Sequence, residues 1–115
     1  MPETVRDITA KLWSEGVTTF FPTVITNSTE NLHSSLKAIA DACRLFPEAE
    51  AAVGGIHLEG PFISPENGAR GAHPSEHVRP PDWDLFCRLQ ESSDGKIRIV
   101  TLSPEWPGSS DFIRR

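Results

Sequence analysis

Apolar residues recur with the spacing of one helix face in several stretches of the chain. The first stretch carries apolar residues at Val5, Ile8, Leu12 and Trp13. Gly16 follows it, and a glycine just after a periodic stretch is typical of a helix end. The pattern therefore predicts a first helix that ends near Gly16.

A longer helical stretch is predicted from Ser28 to Leu45. Asn27, followed three residues later by Glu30, forms a capping signal before it, and Pro47 is expected to end it. The apolar stripe of this predicted helix consists of Leu32, Leu36, Ile39, Ala40 and Cys43.

Two further helices are predicted in the second half of the chain. Asp82 is a suitable cap for a helix that fades over residues 92–95. Its apolar residues are Trp83, Phe86 and Leu89. Ser109 or Ser110 is expected to cap a last helix, which contains Phe112 and Ile113.

Short stretches rich in β-branched residues lie between the helices and predict strands. They are Val17 to Ile25, Ala52 to Glu59 and Ile97 to Leu102. Pro22 interrupts the first of them, and proline cannot donate a hydrogen bond to a strand ladder. Gly60 to Pro81 has no periodicity and is rich in proline and glycine, so it is predicted to be a long loop; such loops are usually functional.

Helices that alternate with strands indicate an α/β domain spanning residues 1–115 with about three parallel strands. Parallel sheets are normally covered on both faces, and the two open edges of a three-stranded sheet would favour pairing with other chains. The chain is therefore predicted to be a segment of a larger α/β barrel or to assemble with copies of itself.

Composition excludes several classes of protein. The formal net charge is -5, from 16 acidic residues against 11 Lys and Arg, which argues against nucleic-acid binding. The sequence has no apolar run of the ~20 residues that cross a bilayer and no secretory leader, so no membrane partner is expected. Cys43 and Cys87 are interpreted as small apolar residues in a reducing cytoplasm, with a single disulfide as the alternative.

The strongest candidate for chemistry is the segment around Glu59. Side chains alternate along a strand, so His57 and Glu59 share one face while Ile56 and Leu58 occupy the other. A carboxylate at the carboxyl end of a buried strand requires a cation or hydrogen-bond donors. A metal ion, a lysine and backbone amides all remain possible partners for Glu59, and His57 is interpreted as a hydrogen-bonded core histidine.

The other histidines give weaker signals. His73 and His77 lie in the long loop, where a solvated surface imidazole is the favoured interpretation from the residues alone. The sequence contains no CxxC, HExxH or HxH motif. Any metal site that includes Glu59 is therefore incomplete within these residues.

The segment GIHLEGPFISPENGARGAHP, Gly55 to Pro74, resembles the strand-and-loop signature of the N-acetylglucosamine-6-phosphate deacetylases, a family of the amidohydrolase superfamily. GVTTFFPTVITNS, Gly16 to Ser28, resembles the preceding strand of that family. IRIVTLSPE, Ile97 to Glu105, resembles the following one. The resemblance covers nearly the whole chain in the same order.

This resemblance implies a partial (β/α)8 TIM-type barrel, of which the chain covers about three units. It implies that Glu59 binds a divalent metal, zinc or iron, and that Ala72 and His73 contact an amino-sugar phosphate substrate. The two histidine ligands and the catalytic aspartate of the family belong to later strands, so no residue of the chain is assigned a catalytic role. Many superfamily members carry an HxH motif on an N-terminal strand, and that strand has no counterpart in this resemblance.

The expected function is therefore that of a cytoplasmic segment of a metal-dependent deacetylase, which converts N-acetylglucosamine 6-phosphate to glucosamine 6-phosphate and acetate. The isolated chain is not expected to be active, and it is expected to join the remainder of a barrel or to form a homo-oligomer. One alternative is another amidohydrolase that acts on an N-acyl sugar or a cyclic amide. The other is a small non-catalytic α/β domain with a binding or structural role.

Overall fold

The computed structural model describes all residues, 1–115, and alternates helices with short strands. The elements are α1 (Pro2–Ser14), β1 (Thr23–Ile25), α2 (Thr29–Leu45), α3 (Pro47–Ala52), β2 (Ile56–Glu59), α4 (Trp83–Ser92), β3 (Ile97–Thr101) and α5 (Ser109–Arg114). A single turn of 3-10 helix, Ser75–His77, interrupts the long loop.

The three strands form one parallel sheet in the order β1-β2-β3. Val24 is paired with Leu58 and Leu58 with Val100, so the carboxyl ends of the strands meet at the same edge of the sheet. A helix lies between each pair of consecutive strands. The predicted α/β class with about three parallel strands is thus confirmed.

One face of the sheet, termed the covered face, packs against helices α2 and α4. Ile56 and Leu58 of β2 are fully buried there and belong to one apolar cluster with residues of both helices. The predicted stripe of α2 is buried throughout, at Leu32, Leu36, Ile39, Ala40 and Cys43. The core of the molecule therefore lies between the covered face and these helices.

The opposite face, termed the open face, has no helix packed on it. It is formed by the alternate strand residues Thr23, Ile25, His57, Glu59, Ile99 and Thr101. Ile25 and Ile99 are 53% and 44% exposed, respectively. The predicted division of β2 into a buried face and a second face is confirmed by its burial pattern.

The first strand is shorter than predicted, because it begins at Thr23 rather than Val17. Pro22 precedes it and contributes only its carbonyl oxygen, which accepts a hydrogen bond from the His57 amide at 3.0 Å. Upstream of the proline, Phe20 and Val53 make a single isolated bridge. Because Pro22 has no N–H group to donate, the strand ladder is interrupted between this bridge and β1.

The short helix α3 was not predicted, and β2 begins at Ile56 rather than Ala52. Pro47 does follow the end of α2, but it also occupies the first turn of α3. Proline is tolerated in the first turn because the amide groups there have no helical partner. The segment between Pro47 and Ala52, rich in alanine and glutamate, then continues as a helix.

Two predicted caps were assigned to the wrong residue. Ser28, not Asn27, caps α2, because its hydroxyl accepts from the Asn31 amide at 3.2 Å. Gly108, not a serine, precedes α5 and has a positive φ of 83°. Asp82 caps α4 as predicted, and its carboxylate accepts from the Leu85 amide.

Only half of the predicted apolar face of α1 is in contact with the rest of the molecule: Val5 packs against the core cluster and Leu12 is half-buried. Ile8 and Trp13 are 46% and 44% exposed, respectively, whereas Thr9 is buried and its hydroxyl donates to the carbonyl of Val5 at 2.8 Å. Helix α1 packs against α2 and α3 rather than against the sheet. Its contact face therefore overlaps the predicted one at Val5 and Leu12 and includes Thr9 in place of Ile8 and Trp13. The predicted end of the helix near Gly16 is confirmed.

Candidate functional site

A cavity of about 460 Å³ opens at the carboxyl ends of β2 and β3. Glu59, Ala72 and His73 all line it, so the predicted metal ligand and the predicted substrate contacts share one pocket. Thr101 at the end of β3 and Arg70 of the long loop also line the cavity. The pocket thus joins the ends of two strands with the long loop that follows β2.

Glu59 is the last residue of β2 and is paired with Ile25 of β1 and Thr101 of β3. Its side chain lies on the open face and is 37% exposed. Immediately after it, Gly60 adopts a φ of 89° and precedes a cis peptide bond to Pro61. The chain therefore leaves the sheet directly behind the carboxylate.

His73 reaches back from the loop to the strand ends. Its Nε2 lies 3.6 Å from Oε1 of Glu59, and its Nδ1 lies 2.9 Å from the hydroxyl oxygen of Thr26. The side chain is only 15% exposed. The interpretation of His73 as a solvated surface residue, based on the residues alone, is therefore wrong, because the loop folds over the sheet edge.

Hydrogen bonds to backbone carbonyl groups hold the first part of this loop in place. The carbonyl of Phe62 accepts from the amide of Ser103 at 2.9 Å, and the carbonyl of Ile63 accepts from the indole of Trp106 at 2.8 Å. The side chains of Phe62 and Ile63 are both buried. Arg79 closes the loop by donating from its amide to the carbonyl of Pro61. The loop is therefore anchored at both ends next to β3 and β2.

His57 lies deeper on the open face than Glu59. Its Nε2 is 2.7 Å from the hydroxyl oxygen of Thr101, and its Nδ1 is 3.3 Å from that of Thr23. The predicted hydrogen bonding of His57 is confirmed, but its predicted place in the core is wrong, because the ring lies partly exposed on the open face. The ring bridges β1 and β3 across β2 and so ties the strands together on this face.

Glu59 does not form a complete metal centre with the other residues of the chain. No group of three or more His, Cys, Asp or Glu side chains in residues 1–115 is arranged to hold a metal ion. A catalytic zinc usually takes about three protein ligands. Glu59, with its partly exposed carboxylate, can contribute one such ligand, and no reaction step through a metal follows from these residues alone.

From the sequence, Thr26 stands out at the carboxyl end of the first predicted strand, but it was assigned to helix capping and not to the site. Thr26 is buried, and its hydroxyl also approaches the carbonyl oxygen of Glu59 at 3.4 Å. The available signal was its position, one residue beyond the carboxyl end of β1. Arg70 was missed as well, and it donates to Pro65 and Asn67 within the loop.

A pocket at the carboxyl ends of parallel strands is the arrangement in which α/β proteins bind ligands and place their active sites. None of the helices combines the length and apolar character needed to cross a bilayer. No protein-family model matches the chain.

Known proteins resemble the chain in both sequence and fold. The chain is 38% identical over 117 residues to the N-acetylglucosamine-6-phosphate deacetylase of Bacillus subtilis, covering 96% of this chain and 28% of that protein. It is 39% identical to the N-acetylgalactosamine-6-phosphate deacetylase of Escherichia coli O157:H7, covering 87% of this chain and 26% of that protein. The crystal structure of N-acetyl-D-glucosamine-6-phosphate deacetylase from Mycobacterium smegmatis superposes with a TM-score of 0.71 at 32% identity, covering 84% of this chain and 24% of that one.

The chain thus spans about a quarter of the length of the curated relatives it matches. It resembles an internal segment of N-acetylglucosamine-6-phosphate deacetylase.

Proposed function

We propose that residues 1–115 are one segment of a (β/α)8 TIM-type barrel that hydrolyses N-acetylglucosamine 6-phosphate to glucosamine 6-phosphate and acetate. The observation that carries this proposal is the gathering of Glu59, Ala72 and His73 around one cavity at the strand ends. The names of the relatives supply the reaction and substrate. The open face supports the barrel, because in such a barrel these side chains would point to the interior.

In this proposal Glu59 is one ligand of a divalent metal, zinc or iron. Its carboxylate is 37% exposed on the open face and is not engaged by any lysine or arginine within salt-bridge distance. The remaining ligands and the catalytic aspartate would come from other strands of a longer protein. Ala72 and His73 would contact the amino-sugar phosphate from the loop side of the pocket.

The protein would then act in the cytoplasm, in the metabolism of amino sugars. The open face would be covered either by the remainder of the barrel or by a further copy of the chain. The isolated chain is then expected to be inactive. An acetate-release assay with added Zn²⁺ or Fe²⁺ checks this, and clear metal-dependent turnover by the 115 residues would contradict it.

A segment exchange tests the proposal directly. Residues 1–115 replace the matching segment of the Bacillus subtilis deacetylase, and acetate release from N-acetylglucosamine 6-phosphate is measured. We expect the chimera to be active and Glu59→Gln within it to lose at least about a hundredfold in kcat/KM, because metal ligation needs the carboxylate charge. Glu66→Gln is the matched control, since Glu66 is an exposed glutamate of the adjoining loop.

The outcome against the proposal is equal activity of the Glu59→Gln and Glu66→Gln chimeras. A folded chimera, verified by circular dichroism, that has no activity in its unmodified form would also contradict it.

A second candidate substrate is N-acetylgalactosamine 6-phosphate, because one relative of nearly the same identity carries that name. The two sugars differ only in the orientation of one hydroxyl group. The ratio of kcat/KM for the two substrates in the chimera decides between them. We expect the N-acetylglucosamine compound to be preferred, and a reversed ratio would favour the galactosamine reaction.

A further inference from the structure

Arg70 lies in the wall of the candidate pocket and is held there by the long loop. Its Nη1 donates to the carbonyl oxygen of Pro65 at 2.9 Å, and its Nη2 donates to Oδ1 of Asn67 at 3.0 Å. The Arg70 amide also donates to the carbonyl of Glu66 at 2.9 Å. Side chain and backbone are both tied to the same turn of the loop, so the guanidinium group has a defined position beside the cavity.

No acidic side chain neutralises this guanidinium group. Arg70 takes part in none of the ion pairs of the chain, and both acceptors of its side-chain hydrogen bonds are neutral groups. Its Nε atom is shut off from solvent and has no hydrogen-bond partner. A charge that is unpaired and has lost part of its hydration is unfavourable, so an anion in the pocket would be stabilised by it.

Arg70 also retains hydrogen-bond donors for a ligand. A guanidinium group carries five N–H bonds, two on each terminal nitrogen and one on Nε. Each terminal nitrogen of Arg70 donates once within the loop. One N–H bond on Nη1 and one on Nη2 therefore remain, and the N–H groups of arginine are well suited to the oxygen atoms of a phosphate group.

The pocket also carries one acidic side chain. Among the residues that line the cavity, Glu59 is the one Asp or Glu, and Arg70 is the one Lys or Arg. The cavity thus offers a carboxylate for a cation and a guanidinium group for an anion. A metal-dependent enzyme that acts on a sugar phosphate has to bind these two kinds of charge.

We propose that Arg70 is a specificity-determining residue, whose positive charge binds the phosphate group of the ligand and makes the pocket select phosphorylated amino sugars over neutral ones. The choice of an amino-sugar phosphate as the ligand rests on the function proposed above. The attraction of an anion by Arg70 is independent of catalysis and is measured separately.

The segment-exchange chimera tests the selectivity. The readout is kcat/KM for N-acetylglucosamine 6-phosphate divided by kcat/KM for N-acetylglucosamine. We expect Arg70→Gln to lower this quotient about tenfold, the effect of one hydrogen bond to a charged group, and Arg70→Lys, which keeps the charge, to retain most of it. Loss of the hydrogen bonds within the loop would affect both substrates equally and cancel in the quotient. Arg88→Gln is the matched control, because Arg88 is an exposed arginine of α4 that does not line the cavity.

Titration of the metal-free 115-residue chain with inorganic phosphate tests the attraction without catalysis. Amide NMR signals of Gly71 and Ala72 are followed at low ionic strength, because salt screens the interaction. We expect saturable shifts in the wild type and in Arg88→Gln, and binding at least about fivefold weaker in Arg70→Gln. Glu59 is present in every variant, so its repulsion of phosphate does not affect the comparison.

An unchanged quotient in Arg70→Gln overturns the proposal, and so does equal binding of phosphate by Arg70→Gln and Arg88→Gln. A wild-type chain whose Gly71 and Ala72 signals do not respond to phosphate also overturns it, and this result needs no variant to fold. Inactivity of the unmodified chimera would contradict the proposed function, whereas the phosphate titration would still decide the role of Arg70.

Discussion

The covered and open faces of the sheet are made by the same three strands but differ in burial and in polarity. On the covered face, Ile56 and Leu58 are completely buried against α2 and α4. On the open face, the residues between and after them, His57 and Glu59, carry polar groups that are only partly buried. Alternation along a strand therefore places the apolar side chains on one face and these polar groups on the other.

The open face also carries apolar side chains that nothing in the chain covers. Ile25 of β1 and Ile99 of β3 are about half exposed on it, although both belong to a parallel sheet. Parallel sheets normally have both faces covered. The covered face is thus packed within these residues, whereas the open face leaves Ile25 and Ile99 exposed.

The largest expected effect distinguishes the two faces by stability. We expect Leu58→Ala to lower the free energy of unfolding by about 2–5 kcal/mol, because it leaves a cavity in the core. Ile99→Ala, on the open face, is expected to cost less than about 1 kcal/mol. Urea denaturation followed by circular dichroism measures both. Equal losses would show that the open face is packed as tightly as the covered one.

The second effect is a difference in thiol reactivity between α2 and α4, the two helices that pack against the covered face. Cys43 of α2 is 5% exposed, and burial raises the pKa of its thiol, whereas Cys87 of α4 is less deeply buried. Because the thiolate is the reactive species, we expect Cys43 to be alkylated at least about tenfold more slowly than Cys87. Mass spectrometry after limited iodoacetamide treatment near pH 8 measures the two rates. Faster modification of Cys43 would mean that α2 does not pack stably on the sheet.

The third effect concerns association through the open face. Both β1 and β3 have one edge without a partner, and the Ile99 side chain of β3 is exposed to solvent on the open face. We expect the wild-type chain to self-associate and Ile99→Lys to lower the mass seen by light scattering toward 12.7 kDa. Ile113→Lys is the matched control, because Ile113 is 60% exposed on α5, away from the sheet face. A monomeric wild type, or equal masses for both variants, would contradict this prediction.

The smallest effect is a pH dependence confined to the outer surface of α2. A hydrogen bond from Lys37 is the main cause that lowers the pKa of Asp41 below its ordinary value of 3.8; partial burial opposes it, and the charges of Lys37 and Arg44 add to it. A lowered pKa stabilises the folded chain above the ordinary value, and this contribution is lost as the pH falls through the lowered one.

We therefore expect wild type and Asp41→Asn to differ slightly in stability near pH 6 and to converge as the pH approaches 2. Urea midpoints over this range measure the difference, which should be small because the pair lies at the surface. A difference that grows on acidification would contradict the expected direction of the pKa shift.

Local patterns were sufficient for much of the fold. The stripe of α2, the cap at Asp82 and the two faces of β2 depend on residues within a few positions of one another, and all were predicted. The errors arose where packing or a neighbouring hydrogen bond decided between local alternatives. Ile8 and Trp13 have helical spacing but lie outside the contact face of α1, and Pro47 both follows one helix and starts another.

The candidate site was predicted less completely than the fold. The sequence indicated Glu59 because this residue ends a predicted buried strand. The resemblance of the surrounding segment to a family signature implied that His73 contacts the substrate, which residue spacing alone did not indicate. The burial of His73 and the part played by Thr26 were not predicted. These two residues are 47 positions apart in the chain and meet across the sheet edge, so no local pattern relates them.

The amino-acid sequence by itself determined the alternation of helices and strands and which side chains share a strand face, because both follow from the period of the backbone. Only the tertiary structure decided that the long loop returns to the strand ends and places the His73 ring between the Thr26 hydroxyl and the Glu59 carboxylate. The physical reason is that the path of a non-periodic loop is set by the groups on which it packs, in this chain β2, β3 and the turn at Gly60, and not by preferences of its own residues.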